Sequence, residues 1–205
     1  MHPLIARLVA HAPVVTDGAW GTQLQALGLP TGACADEWNL SHPDLVERVA
    51  RGYGEAGSQV LLTNTFRAHR LALQAHGLAK QVDEINRASV AISRRAAGSA
   101  LVFASIGPSG QRFLPGQVPV EELREAFAEQ ARFLAAAGAD ALVLETFLDL
   151  DEAQVALAAA RETGLPVVVC MVFAEGKPGV TPEQAAVVLT AAGADVMGAN
   201  CGQGI

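Results

Sequence analysis

The 205 residues contain no apolar run long enough to cross a bilayer. The longest, Pro166 to Ala174, is about half of the ~20 residues that a spanning helix needs. The first residues, MHPLIARLVAHAPVV, lack a basic start, a long apolar core and a small-residue cleavage site, so no secretory leader is expected. Basic clusters are missing as well. With 14 Lys and Arg against 21 Asp and Glu, the formal net charge of −7 repels phosphate and argues against nucleic-acid binding. Cysteine is scarce: three, far apart, make no disulfide framework and point to a reducing, cytoplasmic setting where thiols stay free. The only lysines, Lys80 and Lys177, fall away from strand ends, which leaves an imine-forming lyase or aldolase without a nucleophile. There is no GxxxxGK[ST] loop, no GxGxxG entering a helix after a strand, no GxSxG elbow and no HExxH. The five histidines show no ligand spacing.

What the chain does have is a hydrophobic content of 51% with 17% charged residues, the composition of one well-buried domain spanning 1–205. A unit repeats along it. An alanine-rich amphipathic stretch ends at a glycine, and a short apolar run follows, at Gly57, Gly98, Gly138, Gly164 and Gly193. Glycine past a helix end takes the left-handed conformation that caps the last carbonyls. The runs that follow are continuous rather than alternating, as in strands covered on both faces. With a further strand over Pro13–Asp17, the pattern predicts six strands separated by helices, an α/β fold with a parallel sheet.

The helices have their own signals. Val120, Leu123, Phe127, Ala131 and Leu134 fall at helical spacing behind Pro119, which suits a first turn. Leu45, Val46, Val49 and Tyr53 form a similar stripe, with the Ser41 hydroxyl as its expected N-cap. Ala68 to Ala97 reads as two helices broken near Gly77, or as one helix with a disordered start, and loops are expected at Gly28–Asn39 and Gly107–Pro119.

The capping glycines also serve as rulers. Seven residues beyond them lie Asn64, Ser105, Glu145, Met171 and Asn200, and eight beyond lie Thr65, Thr146 and Cys201; the first strand ends at Asp17. Asp17, Asn64, Ser105, Glu145, Asn200 and Cys201 therefore belong at the carboxyl end of one sheet, where parallel α/β folds place ligands. Each alone could equally cap a helix or brace a loop. Glu145, after Ala-Leu-Val-Leu, is costly to bury without a partner such as a ligand's ammonium. Cys170, inside an apolar strand, reads as core, and Cys34 is undecided.

Five stretches, in order and suitably spaced, resemble the homocysteine S-methyltransferase family: DGAWGTQL (17–24), HPDLVERVARGYGEAGSQVLLTNTF (42–66), ASIGPSG (104–110), LVLETFLDLDEA (142–153) and GANCG (198–202). The resemblance implies a (β/α)8 barrel of TIM type, here incomplete, with about six of eight βα units. It implies a zinc ion held by three cysteine thiolates, on which the homocysteine thiol is methylated to give methionine. By position, Cys201 matches the first zinc ligand and Asp17 and Glu145 match the acids that hold the ammonium. Asn64, Thr65 and Phe66 would line the pocket, and Asn200 would support the loop carrying Cys201. The expected partners are small molecules, homocysteine and an activated methyl donor, with S-methylmethionine or S-adenosylmethionine favoured. The family's adjacent cysteine pair has no counterpart here, since the sequence stops four residues after Cys201. A further C-terminal segment or a second polypeptide, a homo-oligomer included, is expected to complete the barrel. The alternative is a degenerate barrel that serves as a non-catalytic binding or interaction module.

Overall fold

Parallel strands joined in sequential order dominate the computed structural model, which describes residues 1–110, 118–173 and 180–202. Part of the expected 107–119 loop and Lys177 lie outside those residues. The strands are β1 (Val60–Leu62), β2 (Leu101–Ile106), β3 (Ala141–Phe147), β4 (Val167–Met171) and β5 (Val196–Ala199). They pair in the order β1-β2-β3-β4-β5, all parallel, with Val60 beside Leu101, Phe103 beside Ala141, Leu142 beside Val167 and Val168 beside Val196. An order that never reverses has no switch point, so the sheet winds in one sense as in a barrel rather than an open doubly wound sheet. Fold class is as the sequence predicts: α/β, an incomplete barrel.

Six strands were expected, and five form among the described residues. Pro13–Asp17 contributes a single bridge, Thr16 beside Val60, flanked by hydrogen bonds from Gln59 N to Val15 O (2.7 Å) and from Asp17 N to Val60 O (3.0 Å). The ladder stops there because the next donor, Leu62 N, is taken by the Asp17 carboxylate (2.7 Å) instead of a main-chain carbonyl.

Helices α1 (Pro3–Val9), α2 (Trp20–Ala26), α3 (Trp38–Ser41) and α4 (Pro43–Glu55) precede β1; α5 (Arg70–Gln74) and α6 (Val82–Ala97) precede β2. Then α7 (Val120–Ala136), α8 (Leu150–Arg161) and α9 (Pro182–Ala192) lead into β3, β4 and β5. The break near Gly77 is present, with a 3-10 turn at Ala79–Gln81 before α6. Ser41 does not cap α4: it ends α3, where its hydroxyl donates to Glu37 Oε2 (2.8 Å), and His42 takes the cap position. Pro43 at the first turn of α4 has no N–H to satisfy, which weakens the need for a side-chain cap.

All five ruler glycines have positive φ, 95° at Gly138 for instance. The repeat has a second device. Two residues past the glycine, Gln59, Asp140 and Asp195 each use a side-chain oxygen to accept the N–H of Val15, Val102 and Val167 in the preceding segment (3.0, 2.8 and 3.1 Å). Each helix exit is thereby pinned to the chain before it.

Side chains alternate along the strands. Leu142, Leu144, Val167, Val169 and Met171 face the helices and join Leu123, Phe127, Ala131, Leu134 and Phe147 in the largest buried cluster. Val60, Phe103, Ala141 and Val143 face inward and pack with Ile5 of α1, an element without counterpart in the sequence reading. α1 lies at the amino ends of the strands, where His2 N donates to Asp195 Oδ1 (2.6 Å). No helix among the described residues is long and apolar enough to cross a membrane.

Candidate functional site

At the opposite, carboxyl end of the strands the inward face turns polar. A cavity of about 440 Å³ opens there, lined by Trp20, Cys34, Asp36, Asn64, Phe66, Arg67, Ser105, Glu145, Thr146 and Cys201 among others.

Glu145 continues the inward-facing series Ala141, Val143 of β3. Its Oε1 accepts from Ser105 Oγ on β2 (2.5 Å) and its Oε2 from Asn200 Nδ2 past β5 (3.1 Å). Burial raises its pKa above the ordinary carboxylate value. Asp17 sits where the first segment leaves the sheet. One oxygen accepts from Leu62 N (2.7 Å) and Trp20 Nε1 (2.8 Å), while Oδ1 is buried without a partner. Burial, with the Glu145 charge as a lesser contributor, pushes its pKa up to about 6. No lysine or arginine among the described residues pairs with either acid. Two desolvated carboxylates with a spare acceptor and no paired cation have the chemistry to accept a positive group.

Asn200 occupies a hinge of the site. Its Oδ1 accepts from Thr146 N (2.9 Å), and its Nδ2 donates to Thr146 Oγ1 (2.9 Å) as well as to Glu145. Thr146 needs that support, because its φ is 66°, a region costing a β-branched residue about 1–2 kcal/mol. Its hydroxyl reaches Cys201 Sγ at 3.7 Å. Cys201 is exposed at the rim.

The remaining sequence candidates divide. Asn64 and Phe66 line the cavity, Asn64 held by donating to Ala35 O (2.7 Å). Phe66 lies so close to Gly107 that a Cβ there would meet its ring and carbonyl at 2.5 Å. Thr65 is fully buried behind the wall, its hydroxyl donating to Ser105 O (2.6 Å), and Asn200 and Asp17 too stand behind the lining. Cys170, expected in the core, faces inward and is partly exposed; burial and the Glu145 charge push its thiol up to about 11. Cys34 directs its thiol at Asp36 Oδ2 (3.9 Å), and burial raises its pKa.

Sequence reasoning missed Trp20, Asp36 and Arg67. Trp20 follows Asp17 by three residues, a spacing that brings an indole N–H back to the carboxylate at a helix start. Asp36, buried and pushed up to about 6 by desolvation, accepts Arg67 N (3.0 Å) and so ties the 28–39 loop to the cavity wall. The only sequence signal for it was its place with Cys34 and Trp38 in the expected 28–39 loop.

Zinc held as the resemblance implies needs three protein ligands at least. Cys201 brings the one exposed thiol to the rim, Cys34 is a half-buried wall residue, and no group of three His, Cys, Asp or Glu among the described residues could hold a metal ion. They do not make a zinc site by themselves.

Comparison with known proteins adds an independent line. Residues 14–205 match the family model described as homocysteine S-methyltransferase. Methionine synthase of Mycobacterium tuberculosis is 30% identical over 213 residues, covering 93% of this chain and 18% of that protein. Betaine–homocysteine S-methyltransferase 1 of Sus scrofa is 31% identical over 210 residues, covering 97% of this chain and 74% of that one. The crystal structure of the homocysteine methyltransferase MmuM from Escherichia coli, in its metallated form, superposes with a TM-score of 0.82 at 25% identity, over 98% of this chain and 78% of that one. The chain thus spans a minor part of the methionine synthase and about three quarters of MmuM.

Proposed function

The chain belongs to the homocysteine S-methyltransferase family, and from that premise we propose that its cavity binds homocysteine by the ammonium group and presents the thiol for methylation. The observation that supports this most is the buried Asp17 Oδ1 without a partner, just behind the cavity lining and within electrostatic reach of the buried Glu145 carboxylate. An ammonium received between the two acids would offset their desolvation. Asn64 and Phe66 would wall the aliphatic stem, Thr65 would brace that wall from behind, and Asn200 would keep Glu145 aligned.

In the reaction the homocysteine sulfur gives up its proton and attacks the methyl carbon of the donor; the S–C bond forms as the methyl–donor bond breaks, and methionine results. S-Methylmethionine or S-adenosylmethionine is the proposed donor. Zinc is the metal this reading implies, with Cys201 as its ligand from the described residues and a bound thiol held as thiolate as its contribution. One thiolate does not hold zinc. The reading places the protein in the cytoplasm, where three free thiols stay reduced.

Calorimetric titration of the purified chain tests the proposal. Homocysteine is expected to bind, whereas 4-mercaptobutyrate, the same molecule without its amine, is expected not to. Equal affinity for the two would overturn the ammonium assignment. The solitary rim thiol favours a second reading, in which these 205 residues bind homocysteine without turning it over. Release of labelled methionine from methyl-deuterated S-methylmethionine separates the two.

A further inference from the structure

We propose that Thr146 is a positioning residue that holds the sulfur of Cys201 at the cavity rim, through a hydroxyl hydrogen bond whose direction is set by Asn200. Among the described residues, Thr146 (φ 66°) and Cys201 (φ 52°) are the two non-glycine positions with positive φ. They follow different strands, 55 positions apart, yet their side chains meet at 3.7 Å. Backbone conformations of this kind persist only where the surroundings over-determine them, and such positions cluster at functional sites.

Here the restraint can be traced atom by atom. The main-chain N–H of Thr146 can only donate, so the Asn200 oxygen must face it (2.9 Å). That orientation leaves the Asn200 amide protons for Thr146 Oγ1 (2.9 Å) and Glu145 Oε2 (3.1 Å). Having accepted from Asn200, Thr146 Oγ1 has its one proton free, and Cys201 Sγ is the acceptor in reach. A single amide therefore locks a carboxylate on β3 and a thiol beyond β5 into one arrangement. Without the hydroxyl, an exposed cysteine side chain is free to sample its staggered rotamers. The purpose of the fixed sulfur rests on the homocysteine reading; its geometry does not.

The test labels the full chain with 13Cβ-cysteine and reads the side-chain rotamer of Cys201 from its Hα–Hβ couplings, after assigning the three signals by the one lost in each of Cys34→Ser, Cys170→Ser and Cys201→Ser. The parent is expected to show two well-separated couplings, meaning one rotamer. Thr146→Val, equal in shape but without a proton to donate, is expected to collapse them to near-equal values while Cys34 and Cys170 keep theirs. Thr146→Ser is expected to restore the parent pattern. Averaged couplings in the parent, or a Thr146→Val pattern matching the parent's, overturn the proposal. Should Thr146→Val not fold, the parent spectrum still decides, and Thr146→Ala supplies the hydroxyl-free comparison. Homocysteine titration of the parent is scored separately: no binding sinks the substrate reading and leaves the rotamer result to judge Thr146.

Discussion

Replacing Glu145 with glutamine separates binding from folding, because the two should move in opposite directions. The glutamine can keep both contacts, its carbonyl facing Asn200 Nδ2 and its amide facing Ser105 Oγ, which turns to accept. What disappears is a charge that burial disfavours in the empty cavity. The unliganded variant should therefore melt no lower than the parent. Homocysteine, by contrast, loses a charge-assisted hydrogen bond worth about 1.5–3 kcal/mol, which corresponds to a roughly 10- to 150-fold weaker Kd. Calorimetry at neutral pH measures the affinity, and thermal melting with and without ligand measures the stability. A Kd within about twofold of the parent's would refute the ammonium contact. A lost Kd accompanied by a fall in the unliganded midpoint would show that Glu145 supports the fold and not the ligand.

Other perturbations probe the same geometry. Asp17 has a folded pKa of about 6 against an ordinary 3.8, so between those values the folded chain binds more protons than the unfolded one and its stability falls as pH rises. Asp17→Asn should thus gain on the parent by up to about 3 kcal/mol between pH 4 and pH 7, measured by urea unfolding; a constant difference across that range contradicts the assignment. His69 accepts from Ala72 N at Nδ1 and faces Pro108 O through Nε2, and burial holds its pKa down to about 4. Its ring should remain neutral with the proton on Nε2 at pH 6, and a 15N titration centred near 6.5 would contradict that environment. Gly107→Ala should cost about 1–3 kcal/mol, because the new methyl overlaps Phe66 and must displace the cavity wall; unchanged urea unfolding rules out so tight an approach.

The glycine spacing located every strand of the sheet because helix caps and strand lengths are local properties, and the same ruler brought Ser105, Glu145 and Asn200 to one end. Their hydrogen bonds to one another follow from that placement. The failures have a common cause. Pro13–Asp17 has the composition of a strand, but the Asp17 carboxylate competes with the main chain for Leu62 N, and side-chain competition across 45 positions leaves no mark on a hydropathy pattern. Asp36 escaped notice because its partner, Arg67 N, is a main-chain group 31 positions away. The positive φ of Thr146 is equally silent in sequence, since nothing local favours a β-branched residue there.

The bond between His2 N and Asp195 joins positions 193 apart. On the ribosome, every residue up to Asp195 must emerge before that latch can close, although the strands Ile5 packs against are synthesised earlier. Until then α1 has a resting place but no fastening, so a fusion placed ahead of His2 would compete with its docking. Affinity tags are better placed elsewhere.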